Sequence, residues 1–140
     1  MEKKFDKLSR CYRGGPLVTA SEIVKGIRAS KIVFNPHGLS TEAITSLPSR
    51  IFETAGCGVF QLTEYSDILA QHFEIGKEIV CFKNNKELRD LIKYYLKNER
   101  EREEIAGNSQ IRAYKEHTYK HRMQTLLNML KGKAFPGKNF

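Results

Sequence analysis

The sequence predicts an α/β protein, in which a parallel sheet of about three strands is followed by helices at the C-terminal end. Three apolar runs that are too short for helices predict the strands, at residues 31–35, 59–63 and 78–82. Segments with apolar residues at helical spacing separate these runs, and strands that alternate with helices pair in parallel through right-handed crossovers. The chain has 140 residues, of which 40% are hydrophobic, so it has enough apolar material for one domain with a core.

Residues 1–20 are predicted to form an irregular lead-in and residues 131–140 a flexible basic tail, so the domain spans residues 21–130. The lead-in shows little periodicity and contains a Gly-Gly-Pro sequence at 14–16, with a short extended piece predicted at 17–18. The tail is rich in lysine, glycine and proline. No window approaches the roughly 18 apolar residues of a membrane span. The charged start lacks the core of a signal peptide, so we expect a cytoplasmic protein.

Helical spacing of apolar residues predicts six helices around the strands. Thr19 or Ser21 can cap the first, which runs to Ser30. The second starts with Ser46 as its N-cap and has Pro48 in its first turn. The others are predicted at residues 67–73, 86–97, 99–117 and 119–130. The apolar stripes of the last three helices are predicted to face the core. In the last helix this stripe consists of Tyr119, Met123, Leu126, Leu127 and Leu130.

The segment of residues 46–58 contains a predicted helix start, a charged helix face and a glycine-rich end, and we predict that it binds a ligand. The free N–H groups at the start of a helix attract anions. Arg50, Glu53 and Thr54 share one predicted face, at spacings of three and four residues. The opposite face carries the apolar residues Ile51, Phe52 and Ala55. One face can therefore pack against the core while the other contacts a ligand.

The predicted topology gives an independent reason for this site. Ligands of open parallel sheets bind beyond the carboxyl ends of the strands. The loops at residues 35–46 and 63–66 lie there, so their hydroxyls, Arg50 and Glu53 are predicted to converge on one ligand. Arginine matches phosphate oxygens with two hydrogen bonds, and a carboxylate suits paired hydroxyls. The plain alternative, favoured by spacing alone, is an exposed Arg50–Glu53 ion pair worth about 0.2–0.5 kcal/mol.

The sequence from Arg50 to Gly58, together with Thr63 and the segment 73–80, resembles the C-terminal half of GT-B glycosyltransferases, closest to the spore-maturation CgeB-like group. The resemblance extends from about residue 21 to about residue 127. It implies a partial Rossmann-like domain that binds a nucleotide-diphosphate sugar as substrate, with no further cofactor and no metal. The implied activity is that of a hexosyltransferase-like enzyme.

In that family, the Arg and Glu of the R-x-F-E…G-C-G segment approach the diphosphate and ribose of the donor. The resemblance therefore implies these roles for Arg50 and Glu53. No catalytic residue is assigned. The remaining residues predicted to bind the nucleotide sugar are Ser46, Ser49, Thr54, Thr63 and His37. For His37, a loop position without a role is preferred over a contact to the transferred sugar.

Three differences from the family pattern limit what the resemblance implies. Thr45 stands where retaining enzymes of this fold carry a first glutamate, and Glu42 is out of register. The glycine-rich loop and earlier strands of the donor domain have no counterpart in residues 1–20, and an acceptor domain is absent. We therefore expect the isolated chain to be inactive. The alternative to a donor-binding domain is a non-catalytic remnant or protein-interaction module that keeps the fold.

The strand that begins at Lys31 and ends at Asn35 is predicted to be buried and to have an unpaired edge. In the doubly wound strand order it would pair with a first strand that this sequence lacks. Because apolar edges are normally covered, we expect an occupant there. The candidates are the segment 17–18, the same strand of a second copy in a homodimer, or a partner chain.

The net charge of +8 is concentrated at the two ends of the chain. Residues 111–140 carry seven Lys or Arg and one acidic residue, residues 1–28 carry seven and three, and residues 29–110 carry ten and twelve. A nucleic-acid-binding protein needs its positive charge across the functional surface. We therefore predict solvated basic ends and no specific nucleic-acid partner.

The cysteines and the C-terminal histidines are predicted to have no chemical role. Cys11, Cys57 and Cys81 are an odd number at wide spacing, which indicates neither a disulfide framework nor a zinc site. Cys57, between two glycines, is predicted to be a small turn residue. His117 and His121 are predicted to be structural or solvated, because both lie outside the segment with the ligand motif.

Overall fold

Three short parallel strands organise the chain. In a computed structural model, which describes residues 19–36 and 46–132, the strands are β1 (Val33–Asn35), β2 (Gln61–Glu64) and β3 (Val80–Phe82). The helices are α1 (Ala20–Arg28), α2 (Ser49–Gly56), α3 (Asp67–Ala70), α4 (Asn85–Lys97), α5 (Glu99–Glu116) and α6 (Tyr119–Leu130). The predicted α/β class, with a parallel sheet and C-terminal helices, is confirmed.

The strands lie in the order β1-β2-β3, so each strand pairs with its neighbour in sequence. Both pairs are parallel, with Asn35 opposite Thr63 and Thr63 opposite Cys81. The carboxyl ends of the three strands therefore meet at one edge of the sheet. Within the described ranges, β1 pairs only with β2, and the segment 17–18 that was expected at its free edge lies outside those ranges.

Helices cover both faces of the sheet. Val80 and Phe82 point to one face, where Phe60 and Leu62 of the second strand region pack against α4 and α5. Cys81 points to the opposite face, which α2 and α3 cover. The buried residues on that side are Ile51, Ala55, Leu69, Phe73, Ile79 and Ala113. A parallel sheet covered on both faces is the arrangement that the apolar runs predict.

The strand β1 is less buried than predicted. Asn35 is buried, but Phe34 keeps 48% of its surface exposed although it stacks on Phe82 at 5.5 Å. The reason is position in the sheet, because α4 packs on β3 at the other edge and does not reach over β1. An apolar run predicts a strand but does not determine whether the strand is central or at an edge.

The helix α2 begins two residues later than predicted. Ser46 was expected to cap it, but the cap position is Pro48, whose backbone is extended and whose side chain makes no capping hydrogen bond. A proline disfavours helical backbone in the residue before it, so Leu47 cannot belong to the helix. The helix therefore starts at Ser49.

The helix α6 has the predicted bounds but the opposite orientation. Its apolar stripe, expected to face the core, is 47–76% exposed. The half-buried side chains of α6 are instead His121, Thr125 and Asn128, which belong to its polar face. Periodicity shows which residues share a face of a helix, but the packing of α6 against the rest of the chain decides which face is covered.

The turn after α2 depends on a glycine, which gives a testable prediction. Gly58 adopts a φ of +68°, and a Cβ there would lie 2.8 Å from Nε2 of Gln110, the atom that donates to the carbonyl of Gly56. We expect Gly58→Ala to lower the free energy of unfolding by about 1–2 kcal/mol in urea denaturation. Gly107→Ala, at a helical position with open space around the Cβ, should raise it by about 0.5–1 kcal/mol. Equal effects of both changes would contradict the special role of Gly58.

Candidate functional site

The carboxyl edge of the sheet brings together the starts of three helices. α3 is capped by Ser66, whose Oγ accepts a hydrogen bond from the Leu69 amide at 3.3 Å. α4 is capped by Asn84, whose Oδ1 accepts from the amides of Lys86 and Glu87 at 3.0 and 2.9 Å. In the part of the chain that the structure describes, α2 has no such side-chain cap. Among the described residues its first N–H groups therefore receive no side-chain cap, and N–H groups of this kind favour a bound anion.

Arg50 lies in the first turn of α2 and reaches back to the sheet. Its Nη2 donates a hydrogen bond to the carbonyl oxygen of Pro36, the residue that follows β1. The side chain is exposed, and this hydrogen bond uses one of the five N–H donors of the guanidinium. The guanidinium is thus held beside the carboxyl end of β1 with donors left for a ligand.

Glu53 lies one turn after Arg50 on the exposed side of α2. Its carboxylate forms no hydrogen bond or ion pair with another residue in the ranges 19–36 and 46–132. The ion pair with Arg50, on which the plain alternative to a ligand site depends, is therefore not formed. A solvated carboxylate one turn below the helix start is available to accept hydrogen bonds from a bound molecule.

A groove of about 430 Å³ runs along α2 next to these residues. Gln110 of α5 contacts the end of α2 through Gly56, whereas His117 contacts Phe52 near its start, with ring centroids 5.0 Å apart. α5 therefore runs antiparallel to α2, and its C-terminal end lies near the start of α2. The groove is lined by Leu47, Ser49, Phe52, Glu53, Gly56, Ala113, Tyr114, His117, Thr118, Tyr119 and Arg122.

Aromatic rings form one wall of this groove. Phe52 contacts the rings of His72, Phe73 and His117 at centroid distances of 5.7, 5.7 and 5.0 Å. The guanidinium of Arg122 lies over the Phe52 ring, 4.9 Å from its centroid. A cation over an aromatic face is attracted by the ring quadrupole, so the Phe52 ring helps to hold Arg122 at the groove.

His117 links the groove to the loop after α3. Its Nε2 donates a hydrogen bond to the carbonyl oxygen of His72 at 3.0 Å, which requires the Nε2–H tautomer in the neutral ring. Burial lowers the pKa of His117, and the nearby charges of Arg112 and Arg122 act in the same direction. The neutral imidazole is therefore favoured in the folded protein.

Acidification is expected to destabilise the protein through His117. Because its pKa in the folded chain is below the ordinary 6.5, the unfolded chain takes up a proton at a higher pH than the folded chain. The free energy of unfolding should be highest above about pH 6.5 and fall as the pH decreases through the folded-state pKa. Urea denaturation between about pH 7.5 and 5 measures this. His117→Gln should flatten the dependence, and an unchanged dependence would contradict this origin.

Two threonines predicted for the site are buried. Thr54 is buried with Ile51 and Ala55, so the prediction that it shares the exposed face with Arg50 and Glu53 is wrong. The short helix packs along α5 as well as on β1, so its buried side is wide enough to include this position. Thr63 is fully buried in β2, and its hydroxyl donates to the carbonyl oxygen of Asn35 at 3.0 Å, which ties β2 to β1.

The other predicted site residues lie at the start of α2 or outside the described ranges. Ser46 and Ser49 are exposed, Ser46 before the helix and Ser49 as its first residue, so they lie near Arg50. His37 lies in the segment 37–45, which is outside the described residues, and its role stays a prediction. The structure thus brings Ser49, Arg50 and Glu53 to one exposed surface.

Sequence reasoning missed the far wall of the groove. His117 was predicted to be structural or solvated, Tyr119 was assigned to the apolar stripe of the last helix, and no role was predicted for Arg122. These residues reach the groove because α5 packs along α2, a contact between segments more than fifty residues apart in sequence. No local motif marks such a contact.

The two cysteines in the described part of the chain, Cys57 and Cys81, are both half-buried and form no disulfide. Cys57 forms the C-cap of α2, as predicted for a small turn residue. Burial raises the pKa of Cys81 to about 12, so its thiol stays neutral near neutral pH.

Among the described residues, no three His, Cys, Asp or Glu side chains group as a metal site. Likewise, none of the helices in that part has the length and apolar character needed to cross a bilayer.

Comparison with known protein families gives one match. A family described as glycosyl transferase-like matches residues 3–128, which is most of the chain. No curated protein and no solved structure matches significantly. The match includes all three strands, α2 with Arg50 and Glu53, and the residues that line the groove. The chain therefore belongs to the glycosyl transferase-like family and has a glycosyltransferase-type function.

Proposed function

We propose that the carboxyl edge of the sheet binds the diphosphate group of a nucleotide-sugar donor, as the donor-binding part of a GT-B glycosyltransferase of the CgeB-like type. The observation that carries this proposal is the uncapped start of α2, with Arg50 held beside the end of β1 by the carbonyl of Pro36. Free N–H groups and a guanidinium on one side of one helix turn suit an oxyanion with several acceptor oxygens.

Glu53 supports the nucleoside part of the proposal. A carboxylate without a partner among the described residues can accept two hydrogen bonds from neighbouring hydroxyls, as the ribose of a nucleotide presents them. Glu53 also lines the groove whose aromatic and apolar wall includes Phe52 and Tyr119. A diphosphate at the start of α2 would therefore have its ribose within reach of Glu53 and the groove beside it.

The test is a calorimetric titration of the chain with UDP, GDP and TDP. The described groups form an open surface, so we expect a dissociation constant of about 0.1–1 mM for the preferred nucleotide. Pyrophosphate and the matching nucleoside should each bind at least about tenfold more weakly, because each lacks one half of the contacts. Equal binding of pyrophosphate and nucleoside diphosphate would indicate general attraction of phosphate by a basic chain. No binding of any nucleotide would favour the remnant or interaction module.

The role of Glu53 gives a separate prediction. Glu53→Gln should weaken UDP binding by about tenfold if the carboxylate accepts hydrogen bonds from the ribose, since hydrogen bonds to charged groups contribute about 1.5–3 kcal/mol. The binding of 2′,3′-dideoxy-UDP, which lacks those hydroxyls, should be weak in the wild type and should not fall further in the variant. Glu104→Gln, at an exposed position of α5, is the matched control. An equal loss for both ligands would contradict a ribose contact.

A further inference from the structure

The helix α6 packs on the protein through its polar face. Its half-buried residues are His121, Thr125 and Asn128, spaced by four and three residues along one side. The opposite side is apolar and between 47% and 76% exposed. This surface, the α6 stripe, consists of Tyr119, Met123, Leu126, Leu127 and Leu130. The orientation is the reverse of that of an ordinary surface helix, whose apolar side faces the core.

The charge of α6 is of one sign and lies along the stripe. Lys120, Arg122 and Lys131 are its cations, and the sequence from residue 117 onward contains five Lys or Arg and no Asp or Glu. With 3.6 residues per turn, Lys120 and Lys131 fall next to Leu127, and Arg122 falls on the other side of the stripe. The exposed apolar stripe is thus bordered by Lys120 and Lys131 on one side, whereas Arg122 on the other side lies over the Phe52 ring in the groove.

We propose that the α6 stripe docks on the surface of an anionic phospholipid bilayer. A helix with an apolar face and Lys or Arg beside it lies in the membrane interface, with its apolar side chains at the boundary of headgroups and acyl chains. The long side chains of Lys120 and Lys131 beside the stripe reach the lipid phosphates while their stems stay apolar. The helix has 12 residues, a length of about 18 Å, so it lies on the bilayer and does not span it.

The positive charge of α6 favours an anionic bilayer over a second copy of the chain as the partner of the α6 stripe. Two α6 stripes packed against each other would place the cations of one helix next to those of the other, which is unfavourable because no acidic residue lies in either helix. An anionic membrane supplies the opposite charge along the whole length of the stripe. Tyr119 also lines the groove described above, so a membrane-bound chain would hold that groove next to the lipid headgroups.

A tryptophan probe tests the proposal directly, because the chain contains no tryptophan. Leu130→Trp places the single fluorophore on the stripe, and Ile111→Trp places it at a similarly exposed site on α5. With vesicles of equal parts phosphatidylglycerol and phosphatidylcholine, we expect a blue shift for the first variant and none for the second. Vesicles of phosphatidylcholine alone should give little shift. No shift for Leu130→Trp, or equal shifts for both variants, would overturn the proposal.

Sedimentation with the same vesicles separates the apolar and ionic contributions. The double change Leu127→Asn and Leu130→Asn should weaken partitioning at least about tenfold, whereas Leu96→Asn with Ile111→Asn should not change it. Lys120→Gln with Lys131→Gln should weaken it about fivefold per cation, and the binding should fall with added salt. Circular dichroism checks that helix content is unchanged.

Two results of the sedimentation experiments would overturn the proposal. One is binding that is insensitive to both pairs of changes on α6. The other is a lipid-free dimer that the Leu127→Asn and Leu130→Asn variant loses, found together with no vesicle binding by the wild type. That second result would identify another copy of the chain as the occupant of the stripe.

Discussion

Phe73→Ala is expected to lower the free energy of unfolding by about 3–5 kcal/mol. The Phe73 ring follows α3, is 2% exposed, and lies beneath α2 with ring centroids 5.7 Å from Phe52 and 5.3 Å from His117. Its removal loses the transfer free energy of the ring and leaves a cavity that α2 cannot fill without disturbing its packing on β1 and α5. Urea denaturation at neutral pH measures the change.

Phe34→Ala is the matched control for this prediction. It removes the same atoms from a ring that is 48% exposed, so we expect a loss below about 2 kcal/mol. A loss for Phe34→Ala as large as that for Phe73→Ala would mean that the free edge of β1 is covered in solution. Little effect of Phe73→Ala would contradict the assignment of the core beneath α2.

Arg50→Ala is expected to weaken the binding of a nucleoside diphosphate by about 10–100-fold, because a charged hydrogen bond to phosphate contributes about 1.5–3 kcal/mol. Its stability should change by less than about 1 kcal/mol, since the side chain is exposed and loses only the hydrogen bond to Pro36. Arg50→Lys should recover part of the affinity, because lysine keeps the charge without the paired N–H donors.

Arg89→Ala on α4 controls for the general loss of one positive charge. Calorimetric titration of each variant with UDP gives the comparison. If Arg89→Ala weakens binding as much as Arg50→Ala does, the nucleotide is attracted by net charge and the start of α2 is not its site. If Arg50→Ala unfolds the protein, the hydrogen bond to Pro36 is structural.

The sequence predicts most of the secondary structure because local signals are strong. Apolar runs of five residues predict the three strands, and residues 119–130 show a clear helical period. Thr19, one of the two predicted caps of α1, forms a capping box with Glu22, in which each side chain hydrogen-bonds the backbone of the other. Such signals depend on neighbours in sequence and need no knowledge of the packed structure.

The sequence predictions are wrong where long-range packing, or a second local rule, determines where a helix starts or which of its faces is buried. Pro48 excludes Leu47 from the helix, a restriction that outweighs the capping preference of Ser46. Thr54 is buried because the short α2 packs both along α5 and on β1. The orientation of α6 depends on what covers the helix, and its own period carries no information on that point.

The candidate site likewise has one part that the sequence predicts and one part that depends on long-range packing. The start of α2 and the positions of Arg50 and Glu53 follow from a short segment and from the general rule for parallel sheets. The groove beside them depends on α5, whose Gln110 donates to the carbonyl of Gly56 across 54 residues of sequence. The positions of His117 and Arg122 at the site therefore depend on the packing of α5 on α2, which the local sequence does not predict.

The most direct test of donor binding is a chemical-shift titration of the isotopically labelled chain with UDP. If the donor binds as proposed, the largest shifts fall on the amides of residues 46–54 and 63–66, at the carboxyl edge of the sheet, and disappear in Arg50→Ala. Shifts confined to the basic residues of α6 and the tail that follows would contradict a donor site at the start of α2.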